Sequence, residues 1–361
     1  MTAPEALPPL YAGWMRQALG APVPNESKAT CHDCAMCRPG METLPAVKTF
    51  DSGAKCCTYL PTLWNFLAGR ILDDQSPEAA PGRASVERRI DAGAAVTPLG
   101  LEHTEVFALL YQHVAGSFGR ARSLLCPHFL TETGGCGVWR HRESTCATWF
   151  CKHERGELGK HFWASLHALL KCAEVAVARW CAVELDPGAD ALELLFPPRE
   201  RAKPPLSTPE SFDGRVDVAL QRRRWGRWYG REREFYREAA RLAAPLGWAE
   251  IERLGGIELT ARLARVRAAL TRLQSHEIPD GLRTGPVKYE SLGGGVSLVE
   301  AYIDTDPLVL PDQLIGVLQF FDGRPNAEVL EEIGEKAGLE LTPELVRRLA
   351  DFGVLRTSTA T

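Results

Sequence analysis

The residues in this sequence that could do chemistry are its cysteines, and most of them lie in the first half of the chain. The chain has 361 residues and 11 cysteines. Nine of these cysteines come before residue 152: Cys31, Cys34, Cys37, Cys56, Cys57, Cys126, Cys136, Cys146 and Cys151. Soft thiolates gathered in this way are ligands for zinc or for an iron–sulfur cluster. The sequence therefore predicts a metal-binding protein.

The spacing of the first three cysteines favours iron. Cys31, Cys34 and Cys37 form a C-x2-C-x2-C pattern, in which two intervening residues let a turn aim each sulfur at one centre. Three such sulfurs can hold one face of a 4Fe-4S cluster, with a fourth thiolate from the Cys56-Cys57 pair or from the later cysteines. The alternative is zinc in four-thiolate sites that only staple the fold. The sequence leaves open which cysteines share a metal.

The later cysteines lie in a segment rich in aromatic and basic residues. Trp139 could limit access of solvent to a cluster, and Arg142, Lys152 and Arg155 could offset the negative charge of several thiolates. No Ser/His/Asp set, phosphate-binding loop or pair of carboxylates marks a catalytic centre. The catalytic residues, and whether the chain is an enzyme, therefore stay open.

Composition and charge indicate the cellular compartment of the protein and therefore the redox state of these thiols. The net charge of −4 gives no general attraction to nucleic acid, and the N-terminus lacks a secretory signal pattern. The longest apolar stretch, residues 162–185, contains charged residues that disfavour a membrane span. We therefore expect a cytoplasmic protein with no membrane contact, in which reduced cysteines bind metal instead of forming disulfides.

The pattern of apolar residues predicts a mostly α fold that positions the cysteines. Residues 1–185 form the predicted cysteine-cluster domain, with loops at the cysteines, helical periodicity over 59–72 and a long helix over about 161–184. Residues 186–212 are rich in proline and predict a linker. A helical segment over 213–283 follows, and an Arg-rich stretch within it carries Arg–Glu spacings typical of a solvated helix face.

Residues 284–361 predict a small module with three helices and a flanking strand, similar in arrangement to a winged helix. The second helix should end at Gly338, and the third should start with Thr342 as N-cap and Pro343 as its first residue. The glycine-rich stretch over 281–295 lacks the context of a nucleotide-binding loop, and we interpret it as a hinge.

Residues 30–155 resemble the bacterial YkgJ-like cysteine-cluster family, which is described as zinc- or iron-chelating. The positions that match its pattern are Cys31, Cys34, Cys37, Cys126, Cys136, Trp139, Arg142, Cys146 and Cys151. Arg38 stands where the family has a fourth early cysteine, which leaves open whether Cys56 or Cys57 takes over that role. Glu143 stands where the family usually has a proline. Flagellin lysine N-methylase has a similar cluster, which implies iron–sulfur-dependent modification of a protein.

The C-terminal module resembles the PqqD-like peptide-binding domains of peptide-modification pathways. The similarity lies in the phrase F-F-D-G-R-P at 320–325 and in the helical pattern that follows it to Leu355. The resemblance implies that the module binds a protein or peptide substrate.

Overall fold

The computed structural model describes residues 7–29, 33–37, 49–114, 116–197, 212 and 215–357. Cys31 and Arg38 lie outside these residues. Thirteen α-helices and ten short strands occupy the described chain, so the predicted mostly α class is confirmed. The chain divides into a first unit of residues 1–25, 30–149 and 166–264 and a second unit of residues 26–29, 150–165 and 265–361.

Helices are the main secondary structure in the described part of the first unit. Eight lie wholly within it: α1 Pro9–Leu19, α2 Asn65–Asp73, α3 Ala80–Ala92, α4 Glu105–His113, α5 Ser144–Thr148, α7 Ala189–Leu195, α8 Val218–Trp225 and α9 Glu232–Ala243. The long helices α6 Gly156–Glu184 and α10 Trp248–Gln274 each belong partly to both units. None of the helices in these described stretches combines the length and the apolar character that a membrane span needs.

The centre of the first unit is helix α2, whose apolar residues were predicted from the periodicity of 59–72. Phe66, Leu67 and Ile71 of this helix are buried. Helix α9 packs so closely on α2 that a Cβ at Gly69 would lie 1.8 Å from the carbonyl oxygen of Tyr236. Only glycine permits this approach.

Short strands connect the helices of the first unit. Strands β1 Leu63–Trp64, β3 Gly100–Leu101 and β2 Val96–Thr97 form an antiparallel sheet in that order. Strands β4 Phe129–Leu130 and β5 Gly135–Cys136 form a separate hairpin. This hairpin holds one of the predicted metal-ligating cysteines.

The described part of the second unit contains two small antiparallel sheets and three helices that lie wholly within it. Strands β7 Lys288–Gly293, β8 Val296–Glu300 and β9 Leu308–Pro311 pair in sequence order, and β6 Leu282–Thr284 pairs with β10 Leu355–Thr357. Helices α11 Asp312–Val317, α12 Asn326–Ala337 and α13 Pro343–Asp351 pack on them around buried residues that include Leu282, Val299 and Leu349.

The helix ends of the second unit follow the predicted capping residues. Helix α12 ends at Gly338, which has a φ of 63°, and the Thr342 side chain accepts a hydrogen bond from the N–H of Leu345 at the start of α13. The glycine-rich stretch differs from the hinge interpretation. Gly293, Gly294 and Gly295 all have positive φ, and Gly294 and Gly295 form the turn between β7 and β8. Glycine serves here because a tight hairpin turn needs left-handed backbone.

The compact units also differ from the boundaries expected from composition. Residues 189–195 form helix α7 within the proline-rich stretch that predicted a linker. Residues 150–165 group with the C-terminal part of the chain, although they directly follow the cysteine segment. In the Arg-rich stretch, Arg231 pairs with Glu234 and Arg241 with Glu238 on the solvated surface, as their spacing predicted.

Candidate metal centre

A cavity of about 340 Å³ in the first unit collects most of the predicted metal ligands. Five cysteines line it: Cys56, Cys57, Cys126, Cys136 and Cys146. The rest of its wall is mainly aromatic or aliphatic, with Tyr59, Tyr111, Trp139 and Trp149 among the lining residues. The volume is at the lower end of the range of small-molecule sites.

A turn at Lys55 sets the direction of Cys56 and Cys57. Lys55 has a φ of 52°, which is unusual for a residue with a side chain, and it begins a short 3₁₀ helix that contains both cysteines. Its Nζ donates a hydrogen bond to the carbonyl oxygen of Gly134 at 2.7 Å. The N–H of Cys126 donates to the carbonyl oxygen of Cys57, also at 2.7 Å. Both cysteines of the adjacent pair therefore reach the cavity.

The β4–β5 hairpin places Cys136 opposite Phe129. Gly134 turns this hairpin with a φ of 64°, and the N–H of Gly137 donates to the carbonyl oxygen of His128 at 2.8 Å. Helix α3 packs against the end of the hairpin, where Gly82 approaches the carbonyl group of Gly137. A tight turn therefore lies directly before Cys136.

Helix α5 positions Cys146 near its N-terminus. Glu143 caps this helix by accepting hydrogen bonds from the N–H of Cys146 at 2.6 Å and from the N–H of Thr145 at 2.7 Å. The Glu143 cap therefore fixes the start of this helix. The guanidinium carbon of Arg142 lies 3.6 Å from the ring centroid of Trp139, and Arg142 Nε donates to the carbonyl oxygen of Cys146. Trp139 and Arg142 thus lie on the cavity wall.

The cavity makes the thiols differ in acidity. The S–H of Cys57 donates to Cys56, and this hydrogen bond is the main reason that the pKa of Cys56 is lowered and that of Cys57 raised. Burial raises the pKa of Cys126 to about 11, and that of Cys146 rises well above its usual value, first because of burial and then because of Glu143. Cys56 and Cys146 have exposed surface although protein surrounds them, because they open onto the cavity. A bound cation would favour the thiolate form of all five.

Basic residues and backbone N–H groups can stabilise that thiolate form. The N–H of His128 donates to the sulfur of Cys126 and lowers its pKa, as does the nearby Arg89. Arg89 Nη1 is buried without a hydrogen-bond partner within the described chain. His167 and Lys171, one turn apart on α6, also line the cavity. The sequence does not indicate that Arg89 lies near Cys126, because 37 positions separate the two residues.

A buried acidic pair lies beside the cavity cysteine Cys146. Glu174 accepts hydrogen bonds from the N–H of Ser144 at 2.7 Å, from Trp64 Nε1 at 3.1 Å and from the hydroxyl of Tyr11. Burial, and next the charge of Glu143, raise the pKa of Glu174 to about 8. The Ser144 hydroxyl connects the carboxyl groups of Glu174 and Glu143. Glu174, which stands among apolar residues in the middle of the stretch 162–185, is the sequence signal that could have revealed this pair.

Cys34 and Cys37 lie near the adjacent pair Cys56 and Cys57 of the cavity wall. The charge of Cys56 contributes to the raised pKa of both Cys34 and Cys37, for which burial is the main cause. The N–H of Cys37 donates to the carbonyl oxygen of Cys34 at 2.9 Å. The remaining cysteine of this pattern, Cys31, is outside the described residues, so its position relative to Cys34 stays a prediction.

Three other predicted site residues lie in the second unit and are not among the cavity residues. Cys151 accepts a hydrogen bond from Thr305 through its carbonyl oxygen, and Arg155 forms an ion pair with Asp351 at 2.8 Å. Lys152 follows Cys151 directly in the same unit. Cys181, which the sequence analysis leaves out of the metal site, is buried and donates to the carbonyl oxygen of Ala239.

Within the described stretches, no group of three or more His, Cys, Asp or Glu side chains is arranged to hold a single metal ion. The five cysteines share the cavity wall without converging on one point. Comparison with protein-family models, with curated proteins and with solved structures found no match to this chain.

Proposed function

We propose that this chain is an iron–sulfur protein whose cavity cysteines hold a 4Fe-4S cluster and which acts on a protein or peptide. The observation that carries the proposal is the presence of five cysteines on the wall of one cavity. A cluster with several irons takes up sulfur ligands spread around a cavity wall, whereas one zinc ion needs four ligands at about 2.0 to 2.3 Å from a single point. When bound, the cluster would supply one-electron chemistry.

The residues around the cysteines support this assignment. Arg89, Arg142 and Lys171 carry positive charge to the neighbourhood of the thiols, which offsets the charge that several thiolates create. The N–H of His128 hydrogen-bonds the sulfur of Cys126. Trp139 and Trp149 contribute apolar surface to the cavity wall. Hydrogen bonds to sulfur and limited solvent are the protein's usual means of adjusting a cluster's potential. A reducing cytoplasm would keep these thiols available.

The second unit supports the peptide-binding part of the proposal. Its three helices and small sheets suit the expected winged-helix-like module, and strand β7 lies at a sheet edge with every residue exposed, including Tyr289 and Leu292. An exposed edge of this kind can pair with an extended peptide. Peptides selected from a random display library should bind the wild-type chain, lose affinity for a Tyr289→Lys, Leu292→Lys double variant and keep it for Val309→Lys on strand β9. Equal binding to all three proteins would argue against this role of β7.

Serine substitutions separate a functional cluster from a zinc staple. Cys146→Ser should lose most iron and acid-labile sulfide but keep its far-ultraviolet circular dichroism, because Cys146 is held by Glu143 independently of a metal. Cys181→Ser is the matched control, since Cys181 is a buried thiol away from the cavity. Zinc without sulfide in the wild type, and unfolding of Cys146→Ser alone, would instead support a non-catalytic zinc scaffold.

A further inference from the structure

His128 lies on the cavity wall, two residues after Cys126. Only 5% of the residue is exposed. Its Nε2 atom is buried and has no hydrogen-bond partner in the described part of the chain. A buried polar atom without a partner is destabilising unless a ligand satisfies it.

The hydrogen bonds on the other side of the ring fix which nitrogen carries the proton. Ser85 Oγ donates its single proton to the carbonyl oxygen of Gly82 at 2.6 Å. The contact of 2.7 Å between Ser85 Oγ and His128 Nδ1 must then be a hydrogen bond donated by Nδ1. A neutral imidazole with its proton on Nδ1 has a free lone pair on Nε2.

The backbone around His128 leaves this ring little freedom. Its carbonyl oxygen accepts from the N–H of Gly137 in the hairpin, and its own N–H donates to the sulfur of Cys126. Ser85 holds the ring from helix α3. Metal-bound histidines commonly have this arrangement, in which the second ring nitrogen donates to a fixed partner.

We propose that His128 Nε2 binds the same metal group as the cavity cysteines, which makes the ligand set a mixture of thiolate and imidazole. This inference rests on the proposed function, because it adds a ligand to the same site. Histidine ligands raise the potential of a cluster relative to an all-cysteine set. The site would therefore be easier to reduce than a four-cysteine cluster in the same cavity.

Pulsed electron paramagnetic resonance on the reduced, anaerobically purified full chain tests the assignment. Growth with ¹⁵N-histidine should change the nitrogen coupling of the wild type, and His128→Gln should lose that coupling and have a more negative midpoint potential. His141→Gln is the control, because His141 pairs with Asp74 at 2.8 Å and does not line the cavity. A wild-type cluster without histidine coupling, or with coupling that persists in His128→Gln, would overturn the inference and leave the iron–sulfur proposal standing.

Cobalt(II) binding distinguishes failure of the iron–sulfur proposal from failure of the histidine-ligand inference. If the wild type contains no iron or sulfide but binds cobalt, the iron–sulfur proposal fails, and a change of the cobalt absorption bands in His128→Gln but not in His141→Gln supports the histidine ligand. Unchanged bands in both variants, or absence of binding by either metal, would refute it. Ser85→Ala, which removes only the partner of Nδ1, should weaken metal affinity about tenfold or more, and unchanged affinity would contradict the role given to Ser85.

Discussion

The contact between Gly82 and the hairpin gives a sharp test of how the cavity is built. A Cβ at position 82 would lie 2.0 Å from the carbonyl oxygen of Gly137 and 3.3 Å from a methyl group of Val138. Because ordinary contacts between heavy atoms are about 3.5 to 4.0 Å, Gly82→Ala must separate helix α3 from the hairpin by more than about 1 Å. The displaced segment directly adjoins Cys136.

The magnitude follows from two opposed effects. Alanine in a helix is favoured over glycine by at most about 1 kcal/mol, whereas overpacking a well-filled interior costs about 1 to 3 kcal/mol, occasionally more. Here the clash is with backbone, which yields less easily than a side chain. We therefore expect Gly82→Ala to lower the free energy of unfolding by about 2 kcal/mol. Its metal content should also fall, because Ser85 and Cys136 move apart.

Urea unfolding of Gly82→Ala and Gly13→Ala, followed by circular dichroism, measures this effect. Gly13 lies within helix α1 of the same unit, and a Cβ there meets nothing within 4 Å. This control should gain up to about 1 kcal/mol from helix propensity. If Gly82→Ala were as stable as Gly13→Ala, the close packing of α3 on the hairpin would be refuted.

Three further predictions concern the buried acid, the most acidic thiol and the C-terminal helices. The stabilising contribution of Glu174 is fully present below the usual glutamate pKa of 4.5 and is lost as the pH rises through about 8. Over this interval the free energy of unfolding should therefore fall with pH more steeply in the wild type than in Glu174→Gln, by about 1 kcal/mol per pH unit. Urea unfolding at several pH values that gives the same pH dependence for both proteins would contradict this prediction. In the metal-free chain, iodoacetamide near neutral pH should label Cys56 before Cys181. The reason is that Cys57 lowers the pKa of Cys56, whereas burial raises the pKa of Cys181 to about 12. Peptide mass spectrometry that finds the reverse order of labelling would disprove this. Thr342→Ala should destabilise the second unit by about 1 kcal/mol through loss of the cap, whereas Thr342→Ser should not, as hydrogen exchange of residues 343–351 can show.

Local patterns predicted those parts of the molecule that local physics determines. The ends of α12 and α13 follow from Gly338, Thr342 and Pro343, since capping depends on a few neighbouring residues. The glycines at 293–295 were misread as a hinge, because the sequence alone does not show that two strands pair across them.

Long-range packing determined the rest of the candidate site. Cys151 stands five residues after Cys146 but belongs to the second unit, and spacing along the chain carries no sign of that division. Glu174 and Ser144 meet although they are 30 residues apart. A lone histidine beside a cysteine is ordinary in a sequence, and His128 became a candidate ligand only when the hydrogen bonds of its ring were seen.

Iron, zinc and acid-labile sulfide per chain, measured with a visible spectrum on the anaerobically purified protein, test the central claim most directly. The protein should contain about four irons and four sulfides per chain and show the brown absorbance of a cubane cluster. One or two zinc ions without sulfide or colour would contradict it.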